Sequence, residues 1–173
     1  MLVGVISDTH DNISATRRVI NELLKQGVEL VIHLGDVVSP FTLKYMREAA
    51  GNLKFIIIKG NNDGDVYMLS KLSESYGWRF YDGLTIIELD GRRILAMHGY
   101  GDTLTVEGLV NSLAGSTGVD GVLYGHTHRA RLEHVGGKLI LNPGEVCGYL
   151  TGRSTYGLID TRTMKANIIT LES

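Results

Sequence analysis

Asp8-Thr9-His10, Gly35-Asp36, Gly60-Asn61-Asn62-Asp63, His98-Gly99 and Gly125-His126-Thr127-His128 are short polar clusters, each following an apolar run that reads as a strand. Among them, Asp8, Asp36, Asn61, His10, His98, His126 and His128 put a candidate ligand set of two Asp, one Asn and four His at strand ends. Oxygen donors mixed with imidazole nitrogen suit divalent Mn, Fe, Zn or Ni. A pair of such ions is a recurring device for cleaving phosphate esters. Singly, the clusters say less. Asp-Thr before a helix serves equally as a cap, and Gly-Asp or Asn-Asn-Asp-Gly as a turn. A lone histidine such as His98 is commonly a hydrogen-bonded structural residue. His126 and His128, two imidazoles at i and i+2 behind a strand and a glycine, are the most specific pair. The joint pattern carries the metal reading.

Residues i and i+2 of an extended chain point the same way, so Asp8 and His10 are expected to share an ion. Asp36, with two carboxylate oxygens, is the candidate bridge. Asn61 offers a neutral carbonyl oxygen, which leaves the site net positive for an anionic substrate. His33, inside a strand, reads as packed or supporting, and His134, before Gly136-Gly137, as surface.

The elements that position these clusters alternate at first. Leu2–Ile6, Val28–Leu34 and Leu53–Ile58 read as buried strands. Between and after them come helices from Ser14 to about Gln26, from Pro40 to about residue 50, and over Val66–Tyr76. Such alternation predicts parallel β-α-β units. The later part changes character. Leu84–Leu89 and Arg93–His98 flank Asp90-Gly91, a strong hairpin signal. Leu104–Leu113 reads as a helix and Val119–Tyr124 as a strand. Arg131–Val135 with Lys138–Leu141, and Tyr156–Asp160 with Lys165–Leu171, read as two more hairpins. The expected fold class is α/β: two packed mixed β-sheets flanked by helices.

A chain of 173 residues fits one domain over 1–173. A net charge of −2 gives no general attraction to nucleic acid or acidic membranes. The one cysteine, Cys147, excludes an intrachain disulfide and reads as a small apolar filler. The N-terminus enters an apolar strand without a basic leader, and no apolar run reaches the roughly 20 residues that span a bilayer. A cytoplasmic location is therefore expected.

The order Asp-x-His, Gly-Asp, Gly-Asn, His, Gly-His-x-His, together with Asn142-Pro143-Gly144, resembles the calcineurin-like metallophosphoesterase superfamily. The short, insertion-free chain is most similar to its small bacterial and archaeal phosphodiesterase branch. The resemblance implies two sheets flanked by helices and two divalent ions, Mn²⁺ first, with Ni²⁺, Fe²⁺ or Zn²⁺ as alternatives. It implies hydrolysis of a small phosphate ester, a diester foremost, and a homodimer. Carried over by motif, Asp8, His10 and His128 bind the first ion, Asn61, His98 and His126 the second, and Asp36 bridges them. Water between the ions would attack phosphorus in line.

Two positions depart from the pattern. Many members carry a proton-donating His after Gly-Asn; here Asn62 stands there and is expected to contact a phosphate oxygen, with Asp63 beside it as the remaining candidate acid. Glu145 follows the Pro-Gly turn where a small residue is usual, and is expected to be solvated. Arg129 is expected at the surface, and Asn12 as a helix cap. The alternatives are a non-catalytic scaffold resembling a retromer subunit, a phosphomonoesterase, or a nuclease. All seven ligand positions are filled, which favours the enzyme.

Overall fold

The protein is described by a computed structural model covering residues 1–115 and 118–172. Strands β1 (Leu2–Ile6), β2 (Leu30–His33) and β3 (Lys54–Ile58) pair in parallel, because helices α1 (Ile13–Lys25) and α2 (Pro40–Ala50) return the chain to the same end of the sheet. Helix α3 (Val66–Ser75) leads to β4 (Arg79–Tyr81), a three-residue parallel edge strand beside β3. The helices start where short polar side chains satisfy orphaned amides. Asn12 accepts from the Ala15 N–H, Ser39 from Phe41 ahead of Pro40, and Asp65 from Met68.

The second sheet is built from β5 (Thr85–Leu89), β6 (Arg92–Met97), β7 (Gly121–Tyr124), β8 (Arg131–Val135) and β9 (Lys138–Asn142), in the order β5-β6-β7-β9-β8. Helix α4 (Thr103–Gly115) connects β6 to β7 and makes that pair parallel. Both predicted hairpins of this sheet form, yet β7 also pairs in parallel with β9, so the sheet is mixed. The third hairpin, β10 (Thr155–Asp160) and β11 (Lys165–Thr170), crosses back. It extends the first sheet by pairing β10 antiparallel to β1, giving β11-β10-β1-β2-β3-β4.

The period-two alternation of the strands builds the layers. From β1, Ile6 faces Ile20 and Leu23 of α1 and Met46 of α2, while Val3 and Val5 face the second sheet. Between the sheets lie Ile32, Ile56 and Ile58 against Ile94, Leu123 and Leu141. On the far face, Met97, Val122 and Tyr124 pack under Val106 and Val110 of α4. The molecule is thus layered helix, sheet, sheet, helix, as the resemblance implies.

Candidate metal centre

The carboxyl ends of β1, β2 and β3 in one sheet and of β6 and β7 in the other meet at one edge of the sandwich. Ligand sites lie at such strand ends in open α/β sheets. Backbone hydrogen bonds join the β1 loop to the β2 loop and the β6 end to the β7 loop, and the Asp63 and Asp8 carboxylates tie in the rest. The Asp8 N–H donates to Gly35 O at 3.0 Å, His10 to Asp36 O at 3.1 Å, and Gly125 to His98 O at 2.9 Å. The loops are not extended, contrary to the expectation for Asp8 and His10. Asp8 (φ 53°), His10 (40°), Asp36 (57°), His126 (69°) and His128 (59°) all occupy the left-handed region. That region costs an L-residue roughly 1–2 kcal/mol, and it persists where surrounding structure imposes it, commonly at functional sites. Two glycines permit the crowding. A Cβ on Gly60 would lie 2.2 Å from Asp36 Oδ1, and one on Gly35, itself at φ 106°, 2.8 Å from Gly60.

The seven predicted side chains come together. Asp8 Oδ1 lies 3.7 Å from His10 Nε2 and 3.4 Å from His128 Nε2. Asp36 Oδ2 lies 3.4 Å from His10 Nε2 and 3.3 Å from His98 Nε2. Asn61 Oδ1 sits 3.0 Å from His98 Nε2 and 2.7 Å from His126 Nδ1. The imidazoles form two pairs, His10 with His128 and His98 with His126, each 5.1 Å between ring centres.

Each of three rings has its outer nitrogen fixed by an acceptor. His98 Nδ1–H donates to Leu34 O at 2.7 Å, His126 Nε2–H to Gly101 O at 2.7 Å, and His128 Nδ1–H to Glu145 Oε2 at 2.6 Å. Carbonyl and carboxylate oxygens only accept, so the proton resides on the outer nitrogen and the inner one turns a lone pair inward. Those lone pairs face the oxygens of Asp8, Asp36 and Asn61, which are acceptors too. Electron-rich atoms gathered this closely are relieved by positive charge among them, either protons on the rings or a metal ion. Asp8 Oδ1 and His10 Nε2 are buried without a hydrogen-bond partner among the described residues. The donor set therefore fits divalent metal. The same field shapes the titrations. Asp8, and Asp36 behind it, lift His10 against its burial. Burial lowers His98, but Asp36 and Asp8 outweigh it and the net direction is up. Burial raises Asp36, but His98 and Asn62 hold it well below the usual carboxylate range.

Residues 1–164 match the calcineurin-like phosphoesterase superfamily domain. The chain belongs to that superfamily. It is 36% identical to phosphodiesterase MJ0936 of Methanocaldococcus jannaschii, over 99% of this chain and all of the relative. A solved archaeal phosphodiesterase superimposes with a TM-score of 0.89 at 35% identity, covering 99% of this chain and 100% of that one. The phosphoesterase Yfce of E. coli shares the fold at a TM-score of 0.67 and 20% identity, covering 99% and 100%. As a member of this superfamily, the protein is a hydrolase of phosphate esters whose family chemistry uses divalent metal.

The remaining predicted residues sit around the seven. Asn62 lies on Asp36: its backbone N–H donates to Oδ1 and its Nδ2 to Oδ2, both at 2.8 Å. Asp63 is buried and accepts backbone N–H groups from Gly60 (2.7 Å), Val38 (2.7 Å) and Asp36 (3.2 Å), which locks the β2 and β3 loops together. Burial, the largest influence on Asp63, raises its pKa. His33 is packed as expected. Its Nδ1 accepts from the Gly35 N–H, its Nε2–H donates to Thr9 Oγ1, and Thr9 passes a hydrogen bond to Asp36 O. Asn12 caps α1 and also donates to Cys147 O. Arg129 and His134 are exposed.

Glu145 overturns its expectation. It is fully buried and accepts from His128, the Cys147 thiol, the Leu150 and Thr151 N–H groups and the Thr151 hydroxyl. Burial opposes its charge, but these donors prevail and set its pKa at about 2. Imidazole bound to a carboxylate on its far side is the usual support for a metal-ligating histidine. The one sequence hint is that Glu145 lies directly before Val146-Cys147, an apolar pair that turns inward; its partners at 150 and 151 are not marked by residue type. Burial pushes the Cys147 thiol up to about 12, so it stays protonated and donates to Glu145.

Proposed function

We propose that the protein is a phosphodiesterase working with two divalent ions. Asp8, His10 and His128 would hold the first, Asn61, His98 and His126 the second, and Asp36 would stand between them. The observation that carries this reading is the convergence of seven inward-turned donor atoms, two of them buried without partners. Divalent cations held there would act as Lewis acids toward water and toward a phosphoryl ester. The donor set carries −2, from Asp8 and Asp36, against +4 from two such ions. The net positive charge draws an anionic diester and favours a transition state in which negative charge builds on phosphorus oxygens.

The chain's own residues do the positioning. Leu34 O, Gly101 O and Glu145 hold the rings of His98, His126 and His128 in their ligating tautomers. Asn62 braces both oxygens of Asp36 and can offer a hydrogen bond to a phosphate oxygen. As an amide it cannot give up a proton at neutral pH. Asp63 is occupied with backbone amides, so its role is to position Asp36 rather than to protonate the leaving oxygen. That oxygen then takes its proton from water, and the enzyme favours esters with good leaving groups.

Diester preference is supported by the full-length similarity to a protein named as a phosphodiesterase. Manganese is the metal proposed first on the family resemblance, and a ligand set with four imidazoles also accepts Fe, Zn or Ni. A buried free Cys147 fits a reducing cytoplasm, and a homodimer is proposed on the family resemblance alone. The filled ligand set speaks against the scaffold alternative. Among the described residues no helix is long and apolar enough to cross a membrane. The test is hydrolysis of bis(p-nitrophenyl) phosphate and p-nitrophenyl phosphate by chelator-stripped protein, with and without Mn²⁺. The reading expects Mn²⁺-dependent turnover of the diester above the monoester. Turnover of the monoester alone would replace it with a phosphatase.

A further inference from the structure

A cavity of about 410 Å³ opens directly off the second half of the centre, with Asn61 and His98 in its wall. Its apolar walls are Leu84, Met97, Tyr100 and Leu109. Three of these are unusually exposed for their type, Leu84 at 54%, Tyr100 at 82% and Leu109 at 47%. Its charged linings, Lys59 and Asp82, are opposite in sign, and the Lys59 ammonium is tied to Gly60 O at 3.1 Å. The cavity therefore recognises by shape and apolar contact, not by net charge. Its size falls within the roughly 300–1,000 Å³ of small-molecule sites. An exposed phenol ring together with exposed leucine side chains favours a flat aromatic partner, through edge or stacking contact and apolar burial.

We propose that this cavity is a subsite for an aromatic ring carried by the phosphate ester, an aryl group or a nucleobase. The proposal rests on the reading of the adjoining centre as a phosphate site, since the ligands Asn61 and His98 are shared between the two. A phosphate at the centre then delivers its ring between Tyr100 and Leu109.

The experiment is calorimetric binding of phenyl phosphate and methyl phosphate to the Mn²⁺-loaded protein. Phenyl phosphate should bind about tenfold more tightly, equivalent to about 1.4 kcal/mol. Leu109→Asp and Tyr100→Ala, both at exposed positions, should abolish that difference while leaving methyl phosphate affinity and metal content unchanged. Thymidine 5′-phosphate compared with deoxyribose 5-phosphate separates the sources: a ring effect there as well assigns a nucleobase, and a ring effect with phenyl phosphate alone assigns an aryl ester. Equal affinity for phenyl and methyl phosphate, or a preference that survives both substitutions, would overturn the subsite. So would sedimentation showing a dimer that Leu109→Asp dissolves together with equal phosphate affinities, because the face would then belong to a second copy. Ring-selective binding without hydrolysis of any diester would support the subsite while removing the catalytic reading.

Discussion

Asp36 shows how one residue is made to face two directions. Its carboxylate receives both donors of Asn62 while Oδ2 lies beside His10 and His98, which belong to different imidazole pairs. Removing its charge should therefore affect both ions. Asp36→Asn is expected to weaken both, by more than the roughly 10–100-fold that changes to supporting partners cost. Metal analysis of the dialysed variant checks it, and two ions retained would contradict the bridging role. His33 makes a different prediction. Burial depresses its pKa from 6.5 to about 4. Between those values the unfolded chain binds a proton that the folded chain refuses. The neutral His33 thus supports folding fully above pH 6.5, and that support is lost as pH falls through this window, by up to about 3 kcal/mol. Urea unfolding of wild type and His33→Asn from pH 7 to pH 4 should show the wild type losing more stability; parallel curves would contradict the account.

Among the elements, the β2 and β3 loops matter most because they are held together by so little space. Gly60 lies against Asp36 so closely that a methyl group there would displace either the loop or the carboxylate. Asp63 ties the same two loops through three backbone amides. Gly60→Ala is expected to destabilise the fold by about 1–3 kcal/mol, the usual range for overpacking, and to lower metal content with it. Unchanged urea midpoint and full metal loading would show that the contact is not required. The left-handed backbone of five candidate ligand residues has the same origin. Each loop must turn sharply off its strand for ligands of two sheets to meet, and the backbone bonds between loops hold the strain.

Across the whole molecule, two sheets place five strand ends at one edge, and the site exists only because they pack. Much of this was legible beforehand. The seven candidate ligands stand out because each lies in a polar cluster at the end of an apolar strand, and the apolar runs themselves state which strands are buried. What was not legible depends on tertiary partners or on elements too short to show a pattern. β10 pairs with β1 across more than a hundred residues, so a hairpin that is locally obvious gave no sign of which sheet it joins. β4 is three residues long, too short for a period to appear. Glu145 reads as a turn residue until the backbone amides of residues 150 and 151 fold back over it. Asn62 and Asp63 lie beside the candidate site with their hydrogen bonds going to Asp36 and to backbone, which residue type alone does not reveal. The most direct test of the central claim is titration of the chelator-stripped protein with Mn²⁺, reading bound metal and diester turnover at each addition. The account predicts two ions per chain, with full turnover only as the second site fills. Full turnover with one ion bound, or in the stripped protein, would contradict it.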